Sequence, residues 1–355
     1  MRLTALFSIL AIACAMFVGC GDGGGTSTPS GGGSSGGTDG AGGGGKPKIA
    51  VIPKGTTHEF WKSIHAGARK AMLESVGGPN KEPRFEIIWR GPLKEDESEA
   101  QIKVVEDMIS LGVAGIVLAP NDANALARVV NQAHAKKIPV VIIDSDVATD
   151  KYESFVATDN EKGGYLGGQQ LAKLLGGKGK VMMLRYQEGS ASTQKREEGF
   201  LKAMKENPGI EIVSSNQYGG ATSDSAFAAA ERLIAAQKNA DGTLKVDGIF
   251  TPNESTTFGM LRALEDAKLA GKVKFVGFDA SEKLVAGLNA DKIHALVVQN
   301  PFNMGYLGVK TMYDLMREKG VEKRIDTGVG VVTKENINDE ALRDIIKPDL
   351  DKWLK

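Results

Sequence analysis

The sequence predicts an α/β protein of two lobes, each a doubly wound parallel sheet with helices on both faces. Short runs rich in Val and Ile alternate with longer amphipathic segments from residue 48 onward. The alternation restarts near residue 160, which favours two successive βα series over one large sheet. The roughly 310 residues that follow the N-terminal region also exceed what one hydrophobic core normally serves.

The first βα series runs from residue 48 to residue 143. Its helices are recognised by apolar residues at helical spacing, as in Phe60, Ile64 and Ala68, and its strands by short β-branched runs. The predicted strands of this series are 48–52, 85–89, 115–119 and 140–143, and the predicted helices are 58–76, 97–111 and 123–136.

The second series repeats the pattern from residue 161. Its predicted helices are 161–175, 194–206, 222–237 and 257–267, and its predicted strands are 180–184, 211–213, 248–250, 274–278 and 296–298. Ligands of open parallel sheets bind beyond the carboxyl ends of the strands. Two lobes bring two such edges together across a cleft, which is a natural site for a small molecule.

The N-terminus has the pattern of a secretory signal with a lipoprotein cleavage site. Met1 and Arg2 form a positive end, residues 3–18 are almost entirely apolar, and Gly19 precedes Cys20. We therefore expect a signal peptide over residues 1–20, with the thiol of Cys20 carrying the lipid.

Three alternatives stand beside this interpretation. A transmembrane anchor is disfavoured because the apolar stretch has about 16 residues and a spanning helix needs roughly 20. Phe17 departs from the Leu that lipoprotein sites usually carry, and residues 11–14 form a competing site that ends at Cys14. Ordinary signal cleavage without lipidation is the third.

Residues 21–46 predict a disordered tether. The segment is dominated by Gly, Ser and Thr and contains no hydrophobic residue larger than Ala. Such a composition cannot bury a core. A tether of this kind would let a lipid-anchored domain move near its membrane.

The composition excludes several classes of function. Lys plus Arg and Asp plus Glu both number 44, so no basic excess points to nucleic acid. Both cysteines, Cys14 and Cys20, lie in the signal region. The mature domain is therefore expected to have neither a disulfide nor thiolate chemistry.

Side chains that suit a sugar follow the strands of both series. Carboxylate, amide and ammonium groups supply donors and acceptors for hydroxyls, and aromatic rings pack on the C–H faces of a sugar. The Asp and Asn candidates could instead be helix N-caps, the aromatic pair could be core, and the Lys could be solvated. The candidates are Lys54, His58, Phe60, Trp61, Asp144, Asn253, Asp279 and Gln299.

Seven short segments carry a family resemblance. They are 60–68 (FWKSIHAGA), 138–144 (IPVVIID), 158–160 (TDN), 198–200 (EGF), 253–254 (NE), 276–279 (VGFD) and 299–301 (QNP). Together they resemble the type I periplasmic sugar-binding proteins, the ribose-binding-protein group of ABC importers. The resemblance covers nearly all of residues 48–332.

The resemblance implies roles for the candidates. The aromatic pair 60–61 matches stacking residues, and four polar residues match positions that bind sugar hydroxyls, namely Asp144, Asn253, Asp279 and Gln299. His58 stands where the family often has Asn. Ser145 and Gln194 stand where ribose binders tend to carry Arg, and the loss of two bidentate donors predicts a sugar or polyol other than ribose. Tyr218 is the nearest candidate for the aromatic residue that the family carries after residue 213.

The resemblance also implies the domain organisation. The family chain crosses between its lobes three times, which here falls near residues 158–159, 299–300 and 327–331. The N-terminal lobe is then residues 47–158 with 300–328, and the C-terminal lobe is residues 159–299 with 329–355. Hinge closure on the ligand is expected.

The implied function is that of an extracytoplasmic, periplasmic binding component of an ABC sugar importer. It would capture a monosaccharide between its lobes and deliver it to a membrane permease as a lipid-anchored monomer, without cofactor, metal or nucleic acid. A sensory protein that docks on a membrane receptor, or a binder of a polyol or an autoinducer-like ligand, is the alternative.

Two further classes are disfavoured by the residues. An enzyme is not expected because the chain has no Walker loop, no dinucleotide-binding glycine motif, and no zinc-protease or nucleophile-elbow motif. A sugar-responsive repressor would carry a helix-turn-helix ahead of the lobes, whereas this chain has a signal and a tether.

Overall fold

The computed structural model describes residues 45–355, whose helices and strands are arranged around two six-stranded sheets. These residues together make up one compact unit. The predicted signal, its lipidation site and the tether up to residue 44 lie outside the described residues. No helix of the described part is long and apolar enough to cross a membrane.

The N-terminal lobe is built on the first sheet. Its strand order is β13-β7-β6-β5-β1-β4, and every pairing between neighbours is parallel. The elements in chain order are β1 (Lys48–Ile52), α1 (Glu59–Glu74), the short hairpin β2 (Val76–Gly77) and β3 (Glu82–Pro83), β4 (Glu86–Trp89), α2 (Ser98–Leu111), β5 (Gly115–Leu118), α3 (Ala127–Ala135), β6 (Val140–Ile143), β7 (Ser154–Ala157) and, after the chain has visited the other lobe, α9 (Pro301–Leu315) and β13 (Arg324–Asp326).

The C-terminal lobe is built on the second sheet. Its order is β14-β12-β11-β10-β8-β9, and only β14 runs antiparallel to its neighbour. The elements are α4 (Asn160–Leu174), β8 (Gly179–Arg185), α5 (Ala191–Lys205), β9 (Ile210–Tyr218), α6 (Ser223–Ala236), β10 (Gly248–Phe250), α7 (Glu254–Asp266), β11 (Lys274–Phe278), α8 (Glu282–Asn289), β12 (Ala295–Gln299), β14 (Val329–Val332) and α10 (Glu340–Ile346). The last helix of the chain is α11 (Asp351–Leu354).

Both faces of each sheet are covered, which confirms the predicted fold class. In β6, Val141 and Ile143 belong to one hydrophobic cluster, whereas Val140 and Ile142 belong to another. Side chains alternate across a strand, so the two clusters are the two covered faces of the sheet. The second sheet likewise separates two clusters.

The chain passes between the sheets at three places next to the cleft. These lie between β7 and α4, between β12 and α9, and between β13 and β14. The three-strand hinge of the predicted fold class is therefore confirmed. The strand 154–157 and the helix 301–315 of the N-terminal lobe were not predicted from the sequence.

The last helix corrects one predicted boundary, because residues 329–355 do not all stay with the C-terminal lobe. Ile345 and Ile346 of α10 pack against the core of that lobe, whereas α11 packs against α1. Trp353 lies over Lys70 of α1, and Arg69 donates a hydrogen bond of 3.0 Å to the carbonyl of Lys355. Residues 347–350 thus form a fourth crossing.

Close helix packing depends on glycines at the contact points. A Cβ atom placed on Gly164 of α4 would lie 1.7 Å from the carbonyl oxygen of Arg196 in α5, and one on Gly67 of α1 would lie 1.9 Å from the carbonyl of Phe302 in α9. Backbone cannot yield to such contacts without separating the helices.

We expect Gly164→Ala to lower the free energy of unfolding by about 2–3 kcal/mol, because the methyl group forces α4 away from α5. Gly320→Ala is the matched control, since no atom lies within 4 Å of the added methyl. Urea unfolding of both variants measures the difference. Equal midpoints for the two variants would contradict this packing argument.

Candidate functional site

A polar cavity lies between the two lobes at the carboxyl ends of their strands. Its volume is only about 30 Å³ because side chains of the two lobes contact each other across it, so a monosaccharide fits only where it replaces those contacts. A sugar therefore enters only when the lobes part. Eight of the ten predicted ligand-binding residues line this one cavity: Lys54, His58, Phe60, Trp61, Asp144, Asn253, Asp279 and Gln299.

The other two predicted residues do not line the cavity. Gln194 is exposed on α5 and donates to Glu198 on the same helix at 3.3 Å. Ser145 is fully buried, and its hydroxyl accepts the backbone N–H of Ser192 at 3.0 Å. These two predicted residues therefore lie outside the lining that the other eight share. Tyr218 also stays outside the cavity lining and lies under Arg185.

Arg196 occupies the place that the sequence analysis gave to Gln194. Two residues along a helix turn the side chain by about 200°, so Gln194 and Arg196 point to opposite faces of α5. Arg196 is 2% exposed, and its guanidinium carbon lies 4.2 Å from the centroid of the Phe278 ring. It donates hydrogen bonds of 2.8 to 3.0 Å to three acceptors: the side chains of Asn160 and Gln299 and the carbonyl of Pro252.

Two aspartates reach the cavity through unusual backbone. Asp144 follows β6 with φ +62°, and Asp279 follows β11 with φ +72°. Non-glycine residues seldom adopt this left-handed region, and those that do concentrate at functional sites. Asp144 caps no helix, whereas Asp279 accepts the first backbone N–H of α7 at 2.9 Å. Asn253 is the N-cap of α7 and also lines the cavity.

Lys54 bridges the two lobes at one end of the cavity. Its ammonium lies 2.8 Å from Asp144 and donates to the hydroxyl of Ser192 at 3.0 Å. Asp144 belongs to the same lobe as Lys54, whereas Ser192 belongs to the opposite lobe. Arg196 faces the same carboxylate from that opposite lobe at 4.0 Å.

Glu95 is a site residue that sequence reasoning missed. Its carboxylate is buried, pairs with His58 Nδ1, and accepts hydrogen bonds from Trp61 Nε1 at 2.8 Å and from the hydroxyl of Tyr186 in the other lobe. Glu95 lies in the charged run 94–97, which is typical of a solvated loop. Tyr186 directly follows β8, and a position at the carboxyl end of a strand could have identified it as a site residue.

The pair of His58 and Glu95 stays charged because each group stabilises the other. Burial alone would lower the pKa of His58, but the Glu95 carboxylate outweighs it and raises that pKa to about 9. Burial alone would raise the pKa of Glu95, and His58, Lys54 and Tyr186 together lower it to about 2.

Two glutamates cap helices of the opposite lobe. Glu254 of the C-terminal lobe accepts the backbone N–H groups of Glu59 and Phe60, at the start of α1, at 3.3 and 3.2 Å. Glu59 in turn accepts the backbone N–H of Glu282, at the start of α8, at 3.0 Å. Burial and the neighbouring Asp279 raise the pKa of Glu254 to about 7, against the lowering effect of His58. These reciprocal caps exist only while the lobes are together.

A family model for the periplasmic binding protein domain matches residues 49–320. The chain belongs to this family. Members of the family are solute-binding proteins, which agrees with the expectation that the chain is not an enzyme, and the family location is extracytoplasmic.

Curated relatives of this binding protein include the D-ribose/D-allose-binding protein of Pseudomonas aeruginosa. It is 30% identical over 298 residues, which cover 81% of this chain and 89% of that protein. The ribose import binding protein of Escherichia coli is 25% identical over 82% of this chain and 92% of its own length.

Solved structures agree with the two-lobed fold. The periplasmic component of an ABC-type sugar transport system from Hahella chejuensis has 34% identity and a TM-score of 0.75, covering 81% of this chain and all of that chain. An ABC transporter solute-binding protein from Agrobacterium vitis, with bound D-fucose, has 35% identity and a TM-score of 0.77, covering 84% and 99%.

We expect the stability of the fold to fall between about pH 6.5 and about pH 9.5. A histidine whose pKa is raised in the folded state stabilises the fold fully below its unfolded pKa of 6.5 and loses that contribution as pH rises through about 9. The loss is on the order of 2–3 kcal/mol. Thermal unfolding of the protein and of His58→Gln across this range measures it.

The variant should show a flatter pH profile than the unaltered protein, since it has no imidazolium to lose. His134→Gln on an exposed helix face is the matched control and should keep the full slope. Parallel profiles for the unaltered protein and His58→Gln would contradict the ion pair.

Proposed function

We propose that this protein is the solute-binding component of an ABC sugar importer and that its ligand is a neutral monosaccharide or polyol. The observation that carries the proposal is the interlobe cavity, where carboxylates, amides and cations converge beside Phe60 and Trp61. This mixture offers both donors and acceptors to hydroxyls and apolar rings to C–H faces.

The ligand is taken to be neutral because each cation of the cavity already faces a carboxylate of the protein. Lys54 pairs with Asp144, His58 pairs with Glu95, and the positive charge of Arg196 faces Asp279 and Asp144. The remaining carboxylate, Glu254, has a pKa that burial raises to about 7, and it accepts two backbone N–H groups at the start of α1. A ligand with its own charge would enter this buried space without a partner, and burying an unpaired charge is costly. Sugar acids and amino sugars are therefore poor candidates.

The relatives indicate which class of sugar to expect. Related binding proteins are named for ribose and allose, and related structures contain D-fucose and D-arabinose. Gln194 no longer argues against ribose, because Arg196 supplies a guanidinium in the cavity. Ser145 has no guanidinium to offer, so Arg196 is the one arginine among the described residues that line the cavity.

Binding is proposed to proceed by hinge closure. The parted lobes admit the sugar, and the closed form is favoured because the ligand then contacts both lobes at once. The caps that Glu254 and Glu59 make across the cleft add to the stability of the closed form. The closed protein delivers the sugar to a membrane permease.

The lipid anchor and the monomeric state belong to the same proposal. The apolar segment 3–18 followed by Gly19 and Cys20 supports lipidation at Cys20. A lipidated N-terminus with a tether over residues 21–46 would hold the protein near the permease.

A thermal-shift screen of the compact unit, residues 45–355, tests the proposed class of ligand. The panel contains D-ribose, D-allose, D-fucose, D-arabinose, D-galactose, xylitol and myo-inositol, with D-galacturonic acid as the charged partner of D-galactose. At a hundredfold excess over its dissociation constant, a ligand stabilises the fold by about 2.7 kcal/mol. We expect neutral hits only. A sugar acid that binds more tightly than every neutral sugar would contradict the charge argument.

We expect Asp144→Ala and Asn253→Ala each to weaken binding of the sugar found in the screen by about 2 kcal/mol or more, because their partners stay buried and unpaired. Asp146→Ala, on an exposed neighbour of Asp144, is the matched control. Isothermal titration measures the affinities. Normal binding by both site variants would show that the ligand lies elsewhere.

A further inference from the structure

The C-terminal segment forms a strap across the two lobes. We use this name for residues 340–354, which comprise α10 on the C-terminal lobe, α11 on the N-terminal lobe and the crossing 347–350. The strap lies beyond residue 320, where the family match ends. The family match therefore does not include it.

A second cavity lies between the lobes under the strap. Its volume is about 370 Å³, which is more than ten times the volume of the polar cavity. It is bounded by the start of α1, the start of α8 and the strap itself. The larger apolar side chains that line it include Phe60, Val285, Ile345, Ile346, Pro348 and Leu350.

Three of the carboxylates at its edge have partners within the protein, whereas Glu282 and Lys347 border the cavity as exposed residues. Glu254 accepts two backbone N–H groups of α1, and Glu59 accepts one from α8. Asp279 accepts hydrogen bonds from the Gln299 side chain and from the backbone of α7. The surface left for a ligand is mainly aliphatic and aromatic, so this cavity favours an apolar group.

The two cavities adjoin each other. Four residues border both of them: Phe60, Glu254, Asp279 and Gln299. One side of this boundary suits hydroxyls and the other suits hydrocarbon. An engineered apolar cavity of about 150 Å³ holds benzene, so 370 Å³ accommodates a substituted aromatic ring.

We propose that the ligand is a glycoside with an apolar aglycone. The inference rests on the proposed sugar-binding function and extends it. The sugar lies in the polar cavity between Asp144 and Asp279, and the aglycone extends past Phe60 into the cavity under the strap. Val285, Ile346 and Leu350 contact the aglycone and select for it.

Comparison of each sugar with its own glycosides tests this proposal. Every sugar that stabilises residues 45–355 is titrated beside its methyl and 4-nitrophenyl glycosides, in both anomers. For a polyol, the mono-4-nitrobenzyl ethers take their place. We expect one anomer of the 4-nitrophenyl glycoside to bind at least tenfold more tightly than the free sugar. If no free sugar binds, the 4-nitrophenyl glycosides of the sugars in the screen are titrated alone.

Val285→Trp and Ile346→Trp fill the cavity under the strap and should reduce the ratio of glycoside affinity to sugar affinity at least tenfold. Leu111→Trp, at an exposed site on α2, should keep the ratio. Using the ratio removes any general effect of a variant on lobe closure or folding. Where only the glycoside binds the unaltered protein, the tryptophan variants should weaken that binding tenfold and Leu111→Trp should not.

The outcomes separate this proposal from the proposed function. Free sugar that binds more tightly than all its glycosides, or a ratio that the tryptophan variants leave unchanged, would overturn the aglycone site and leave sugar binding intact. Silence from both sugars and glycosides would overturn the proposed function as well.

Discussion

Charges buried between the two lobes must be paired, and that requirement determines the arrangement of the cleft. Asp144 lies at the centre, because it meets Lys54 from its own lobe and Arg196 from the other. Its left-handed backbone, with φ +62°, is what directs the carboxylate into the cleft. The same requirement explains why Glu95 pairs with His58, since an isolated carboxylate would be expensive to bury.

The pairing also couples the two lobes. Tyr186 and Arg196 of the C-terminal lobe contact carboxylates of the N-terminal lobe. Glu254 caps a helix of the N-terminal lobe, and Glu59 caps a helix of the C-terminal lobe. Each contact forms only when the lobes close. A neutral ligand with many hydroxyls can insert among such groups and replace their mutual contacts without leaving a charge unpaired, which is the physical basis for the proposed sugar ligand.

Prediction from sequence succeeded for segments whose local pattern matches their burial in the fold, and it failed for residues whose burial depends on the opposite lobe. The strands β5 and β6 are buried on both faces, so continuous β-branched runs marked them. Gln194 was predicted from its position ahead of residues 198–200, whereas Arg196 lines the cavity, because the helix turns the two side chains to opposite faces. Glu95 was missed because a carboxylate in a charged loop normally faces water, and only the opposing lobe buries it.

The sequence by itself determined the alternation of strands and helices, the division into two series and eight residues of the polar cavity, because these depend on periodicity and on positions at strand ends. Tertiary structure alone decided which charges pair, how Glu254 and Glu59 exchange helix caps, and where the strap crosses. These features join residues far apart in the chain, such as Glu95 with Tyr186 and Phe60 with Ile346. A local sequence pattern cannot indicate contacts between residues so far apart in the chain, because those contacts depend on how the two lobes pack against each other.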